Sequence, residues 1–253
     1  MHLPTNKFKA ALKANQPQIG IWSSLSNHLA VEVLADAGFD WVLLDTEHSP
    51  NELPMVLQQL QALKEGTATP IVRPAWNDMV LVKRYLDLGV QTLLLPYVQN
   101  AEEAAAAVRY TRYPPEGVRG VSGGSRASRF GRYKDYFKRV HDETCLLVQV
   151  ETQSAMKEIE KICAVDGVDG VFIGPNDLAA DMGHLGNWQH PDVWKVMEDA
   201  AKRIRKAGKA PGILVGEADG KRCLDMGYLF VAVGSDIGML ARGTEALAAK
   251  FKS

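Results

Sequence analysis

Short apolar runs alternate with longer stretches of helical periodicity from one end of the chain to the other. The runs at 19–25, 41–46, 69–74, 92–98, 146–152, 169–174, 210–216 and 228–234 have the length and continuity of buried strands. Between them, 27–37, 51–64, 77–88, 101–112, 154–163, 192–207, 217–226 and 236–251 carry apolar residues at helix spacing. Capping residues and first-turn acids mark several helix starts, as in Asn77-Asp78 and Asn100-Ala101-Glu102-Glu103. Glycines mark several ends, at Gly38, Gly89, Gly208 and Gly227. Eight strand-then-helix units predict an α/β chain whose parallel sheet closes on itself, a (β/α)8 TIM barrel forming a single domain over 1–253. An open doubly wound sheet is the alternative, but no Gly-x-Gly-x-x-Gly follows the first strand.

Two places depart from this rhythm. In Leu146-Leu147-Val148-Gln149-Val150-Glu151-Thr152 the period-2 alternation puts Leu146, Val148 and Val150 on one face and Leu147, Gln149 and Glu151 on the other. The second face turns polar only at its C-terminal end, and a buried carboxylate there needs a cation or the mouth of a site. The other departure is Tyr113 to Thr144, with Pro114-Pro115-Glu116-Gly117 and the glycine- and serine-rich run from Gly120 to Arg129. No Gly-Lys-Ser/Thr follows those glycines, so a phosphate cradle is a weak reading. A lid or subunit-contact segment is expected instead.

Composition adds exclusions. Net charge is −1 with both signs interspersed, which suggests no general affinity for nucleic acid or anionic membrane. Cys145, Cys163 and Cys223 are far apart and lack metal spacing, so they are expected to be buried thiols. The first residues have no apolar signal-peptide core and no run approaches a membrane span; a cytoplasmic location is expected.

In a barrel, active sites form where strands end, and polar residues gather at four such ends. They are Asp45-Thr46-Glu47-His48-Ser49-Pro50, Arg73-Pro74, Gln149-Val150-Glu151 and Gly174-Pro175-Asn176-Asp177. Taken singly, each has a bland explanation as a cap, a surface histidine or a structural ion pair; their convergence on one rim is what suggests a site. Glu151 and Asp177 offer two hard oxygen donors, suited to an open Mg²⁺ or Mn²⁺ whose other positions are filled by water and substrate. Such an ion fits a 2-oxo acid, with Arg73 helping to stabilise an enolate oxygen. His48 is the available base near neutral pH, oriented by Asp45 or another carboxylate. No lysine ends a predicted strand, which disfavours a Schiff-base aldolase.

Taken together, the chain resembles the metal-dependent class II pyruvate aldolases of the 4-hydroxy-2-oxoheptanedioate aldolase type. The matching segments run in order over the whole chain: Pro17–Trp22, Gly38–Trp41, Asp45–Pro50, Val72–Pro74, Leu86–Gly89, Thr111–Pro115, Arg126–Arg129, Leu147–Glu151, Gly170–Pro175 and Phe230–Gly234. The resemblance implies a (β/α)8 barrel, usually a homohexamer, with sites near subunit interfaces and the eighth helix exchanged between partners. It implies a divalent cofactor (Mg, Mn or Co) on Glu151 and Asp177, and pyruvate and small aldehydes as ligands in a role such as aromatic catabolism. The family's enolate-stabilising arginine falls on Arg73. Its base is a water or hydroxide handled by His48, which pairs with Asp87, and Asp45 lies beside them. Gln149, Gly174, Asn176 and Asp177 fall on substrate-binding positions.

Three positions depart from the family pattern: Asn176 stands where Ala or Ser is usual, the Val121–Ser125 stretch is short, and Ser235 replaces an apolar residue. They leave the aldehyde acceptor open. Two other readings stand beside the aldolase: a lyase of malyl-CoA- or citramalyl-CoA-like substrates, and a non-catalytic barrel that only binds. No added basic segment for a CoA diphosphate is evident.

Overall fold

A computed structural model describes residues 1–252. Its strands are β1 (Gln18–Ser23), β2 (Trp41–Asp45), β3 (Thr69–Arg73), β4 (Thr92–Leu95), β5 (Cys145–Val150), β6 (Gly170–Ile173), β7 (Ala210–Leu214) and β8 (Phe230–Ser235). Each is parallel to the next, and β8 pairs with β1 to close the barrel. The (β/α)8 expectation is met. Register follows the alternation: Asp45 lies opposite Arg73, and Gln149 opposite Phe172.

Period-2 alternation sorts the strand residues into two layers. Val42, Leu44, Val72, Leu93, Val148, Val171 and Val231 face outward into one buried cluster with the helices. Trp22, Trp41, Leu43, Ile71, Leu94, Leu147, Phe172 and Phe230 fill the barrel interior. Two glycines make room for these rings: a Cβ on Gly20 would lie 2.1 Å from the Trp41 ring, and one on Gly212 2.0 Å from Phe230. The N-terminal end of the barrel is plugged by helix α1 (Lys7–Lys13), whose fully buried Phe8 meets Trp41 and Phe230 edge-on at 6.0 and 5.8 Å.

The remaining helices are α2 (His28–Ala35), α3 (Leu53–Ala62), α4 (Met79–Asp87), α5 (Ala101–Thr111), α6 (Tyr136–Glu143), α7 (Gln153–Lys157), α8 (Ile159–Ala164), α9 (Pro175–Asp181), α10 (Pro191–Lys206), α11 (Glu217–Asp225) and α12 (Asp236–Ala249). The single helix predicted over 154–163 is two pieces, broken at Glu158, while α1, α6 and α9 are additions to the predicted pattern. β4 stops at Leu95 rather than at 98, because Pro96 lacks an N–H and Tyr97 adopts φ 56.

The segment 113–144 joins the end of α5 to the start of β5, and both lie at the N-terminal end of the barrel. It holds a short turn of helix at Arg126–Ser128 and α6, and it packs against the chain's first residues and the end of α4. Asn6 N–H donates to Glu143 (2.7 Å), Leu3 N–H to Asp135 (3.0 Å), and the Arg126 guanidinium to the Leu88 carbonyl. The lid expectation therefore fails within one chain: a helix-to-strand connection lies at the end opposite the strand C-termini.

At the other terminus, Asp236 locks β8 to the segment after β1. Its carboxylate accepts from Ser23 Oγ (2.9 Å), Ser24 N–H (2.8 Å) and Leu25 N–H (3.3 Å). Ser235 caps α12 by accepting from Gly238 N–H. Beyond this latch α12 leaves Ile237, Met239, Leu240 and Leu247 exposed. No helix among the described residues is long and apolar enough to cross a membrane.

Candidate active site

The inward faces of β2, β3 and β5 turn polar at the same level. Asp45 ends β2 and Arg73 ends β3, and the barrel register sets them side by side. Arg73 grips Asp45 with two hydrogen bonds, Nε to Oδ1 at 2.9 Å and Nη2 to Oδ2 at 2.8 Å. Asp45 also accepts from Trp22 Nε1 at 3.3 Å, and the Arg73 guanidinium lies 4.9 Å from the centre of a Trp22 ring. Arg73 Nη1 reaches Gln149 Oε1 at 3.5 Å and lies 2.8 Å from Glu47 Oε2. The Glu47 contact is an ion pair out of line for a hydrogen bond, which leaves buried Glu47 Oε2 without a donor.

Gln149 and Glu151 follow one another on the inner face of the β5 strand and its exit. Gln149 Nε2 donates to Glu151 Oε2 at 2.5 Å, and Tyr97 N–H donates to Glu151 Oε1 at 3.2 Å. Gly174, after β6, is the neighbour that lets this carboxylate sit where it does. A Cβ there would come within 2.2 Å of Glu151 Oε2 and 2.9 Å of Glu151 Cβ. Asn176 and Asp177 follow in the first turn of α9, exposed at the rim.

Charge is unbalanced. Asp45, Glu47, Glu151 and Asp177 act on one another around the single guanidinium of Arg73. Burial alone would raise Asp45, but the hydrogen bonds and charge of Arg73 hold it below the ordinary range. Burial raises Glu47 from 4.5 to about 7 against the pull of Arg73, with Asp45 and Asp177 adding repulsion. Burial also raises Glu151, against its bond from Gln149 and with repulsion from Asp177 and Glu47. An orphaned carboxylate oxygen and uncompensated acids are what a hard cation would satisfy; the donor set on Glu151 and Asp177 fits a divalent ion.

Of the residues expected from sequence, Asp45, Arg73, Gln149, Glu151 and Gly174 are brought together, with Asp177 within charge range and Asn176 beside it. His48 stands at the same rim with 65% of its side chain exposed, its Nε2 3.8 Å from Glu47 Oε1. Asp87 is elsewhere. It ends α4 at the N-terminal end of the barrel, where fully buried Arg119 donates to it at 2.7 Å. Arg119 also donates to Tyr136 OH at 3.2 Å and stacks 4.5 Å over Tyr113. One chain therefore does not bring His48 and Asp87 together.

Glu47 and Trp22 are site residues that strand-end reading passed over. Glu47 stood within the polar run after the second strand, but nothing local marked it as turning back toward Arg73. Trp22 was legible in principle, because it shares the inward phase of Gly20 on the same strand.

The chain as a whole is similar to known proteins. A family model described as HpcH/HpaI aldolase/citrate lyase matches residues 18–243. The 4-hydroxy-2-oxo-heptane-1,7-dioate aldolase of Klebsiella pneumoniae subsp. pneumoniae is 59% identical over 248 residues, 97% of this chain and 94% of that one. Among solved structures, an HpcH/HpaI aldolase/citrate lyase family protein from Burkholderia cenocepacia superposes with a TM-score of 0.95 at 39% identity, covering 98% of this chain and all (100%) of its own. An HpcH/HpaI aldolase from Desulfitobacterium hafniense gives 0.88 at 28% identity, covering 97% and 96%.

Proposed function

Because the chain belongs to the HpcH/HpaI aldolase/citrate lyase family, we propose that it is a divalent-metal-dependent aldolase that reversibly cleaves 4-hydroxy-2-oxo acids to pyruvate and an aldehyde. The observation that carries this reading is the buried constellation of Arg73, Gln149 and Glu151 beside Asp177. Glu151 and Asp177 would hold the ion, Mg²⁺, Mn²⁺ or Co²⁺, whose charge would stabilise the oxygen that becomes anionic during cleavage.

The protein's own groups supply the rest. Arg73, fixed by Asp45 and Trp22, presents a guanidinium that cannot relax away from the developing enolate oxygen. Gln149 positions Glu151 and borders the 2-oxo acid, and backbone N–H groups around Asn176 and Asp177 face its carboxylate. A base tied to His48 takes the proton of the 4-hydroxyl. The electrons of the C3–C4 bond pass to the 2-oxygen as the enolate, the aldehyde departs, and C3 is reprotonated to give pyruvate. His48 and Asp87 lie at opposite ends of one barrel, so a pair between them requires two chains. The exposed apolar face of α12 supports the same homo-oligomer, a hexamer by family resemblance.

The relatives of 57–59% identity carry aldolase names, which favours this reading over an acyl-CoA lyase. The test is a coupled pyruvate-release assay across 4-hydroxy-2-oxo acids and metals. Activity is expected only with a divalent ion and is lost in Glu151→Gln; full activity after chelation, or in that variant, overturns the mechanism.

A further inference from the structure

The connection from α9 to α10 holds donor chemistry that the carboxylate site does not use. It leaves α9 at Asp181, turns through Gly183 (φ 83) and Gly186 (φ 78), and enters α10 at Pro191. On the way it brings His184 and His190 face to face, ring centroids 3.7 Å apart and planes 13° from parallel. Asp192, in the first turn of α10, places Oδ2 3.7 Å from His190 Nδ1. One donor atom from each of the three lies within 4.8 Å of the others.

Local bonding decides which atoms are available. His190 Nδ1 accepts from Asp192 N–H at 3.2 Å, so in the neutral ring the proton sits on Nε2, and an ion at Nδ1 takes the lone pair that this capping bond now uses. Lys195 engages Asp192 Oδ1 at 3.1 Å, while Oδ2 faces the imidazole. Tetrahedral Zn²⁺ with ligands at about 2.0–2.1 Å sets donors about 3.3 Å apart. The 3.7 Å edge is already close to that value, and no edge needs to contract by more than about 1.5 Å. Glycines on both sides of His184, each at positive φ, give the loop room for this movement. Coordination uses in-plane lone pairs, so the stacked rings splay as the ion enters.

We propose that His184, His190 and Asp192 form a second cation site, for a borderline transition ion such as Zn²⁺ or Co²⁺, separate from Glu151 and Asp177. Imidazoles favour such ions over Mg²⁺, whereas two carboxylates accept Mg²⁺ and Mn²⁺ as well as Zn²⁺ or Co²⁺, so Mg²⁺ is the ion that tells the two sites apart. An ion here ties together the ends of a loop whose Trp188 borders, with Asn176, a cavity of about 810 Å³. The second site thereby stiffens one wall of that cavity.

Equilibrium dialysis of the untagged, full-length, chelator-stripped protein tests this with Zn²⁺ and Mg²⁺. Wild type should bind two Zn²⁺ per chain, and Glu151→Gln/Asp177→Asn should keep one. Adding His184→Ala to that variant should weaken the remaining Zn²⁺ at least ~100-fold, beyond the 10–100-fold typical of losing an outer hydrogen-bond partner. Mg²⁺ binding and Mg²⁺-supported turnover should be unchanged in His184→Ala alone. The proposal fails if Glu151→Gln/Asp177→Asn binds no Zn²⁺, or if the bound Zn²⁺ ignores His184→Ala. Neither result bears on the aldolase reading, which Mg²⁺-dependent turnover tests separately.

Discussion

Replacing Gly174 with alanine perturbs the site through one methyl group. The added Cβ would lie 2.2 Å from Glu151 Oε2, 2.9 Å from Glu151 Cβ and 3.2 Å from Gln149 Nε2. To regain ordinary contact, near 3.4 Å, the carboxylate oxygen must retreat by about 1.2 Å. It cannot retreat freely, because Gln149 and the Tyr97 N–H hold both of its oxygens, and the close contact at Cβ pushes the whole side chain. Misplacing a catalytic group by about 1 Å costs on the order of 10²-fold, or roughly 2.7 kcal/mol in the barrier. Overpacking should cost about 1–3 kcal/mol of stability, which a chain of this size can tolerate. The assay is pyruvate release as a function of divalent-ion concentration, with thermal unfolding alongside. Gly174→Ala should raise the activation constant and lower kcat/KM about 100-fold while remaining folded. Both constants within about threefold of wild type would show that Glu151 does not depend on this missing Cβ.

Arg73→Ala should lose about 3 kcal/mol of transition-state stabilisation, as when an oxyanion donor is removed. It should also lose about 3 kcal/mol of stability, because Asp45 is left buried without its partner. Adding Asp45→Asn should restore unfolding temperature but not turnover; recovery of turnover would remove Arg73 from its role. Glu47 titrates at about 7 rather than 4.5, so the folded, metal-free chain holds a proton that the unfolded chain sheds in that interval. Its stabilising share is complete below about 4.5 and lost as pH rises through about 7, and Glu151 shifts in the same direction. Divalent-ion affinity should therefore climb with pH up to about 7 and then level off; a flat profile in calorimetric titration contradicts this. Finally, His48→Ala and Asp87→Asn should each be nearly inactive alone, while co-expressed chains recover part of the activity in mixed oligomers. Absence of recovery in isolated mixed oligomers would sink the two-chain pair.

The barrel was legible because its strands read as continuous apolar runs with two buried faces, and parallel strands need that pattern. The inward phase of Gln149 and Glu151 followed from the same alternation, and pairing with the neighbouring strand ends set their company. What the pattern could not supply was depth and direction. Glu47 lies outside any strand, so no periodicity indicates that it turns back toward Arg73. Asp87 is assigned by resemblance alone, because a helix C-terminus in a barrel points away from the strand ends. The segment 113–144 is the converse case. Its position at the N-terminal end follows from counting elements, since every helix-to-strand connection lies there, and chain order alone argued against a lid. The helices α1 and α9 are too short for periodicity to reveal; each is defined by what it closes.

The plug of Phe8 against Trp41 and Phe230 gives the barrel a floor, with Leu147 and Phe172 packed above it. Reactants therefore have one door, at the strand C-termini. For a reaction that splits one molecule into two, a blind sac imposes a queue. On the proposed reading, the fragment held against Arg73 and Gln149 would sit deepest and leave last, behind the fragment at the rim. Run in reverse, the same queue would admit pyruvate first, and an aldehyde arriving early would find nothing to join. The order of traffic would thus be set by a short helix at the far end of the barrel, through the single ring of Phe8.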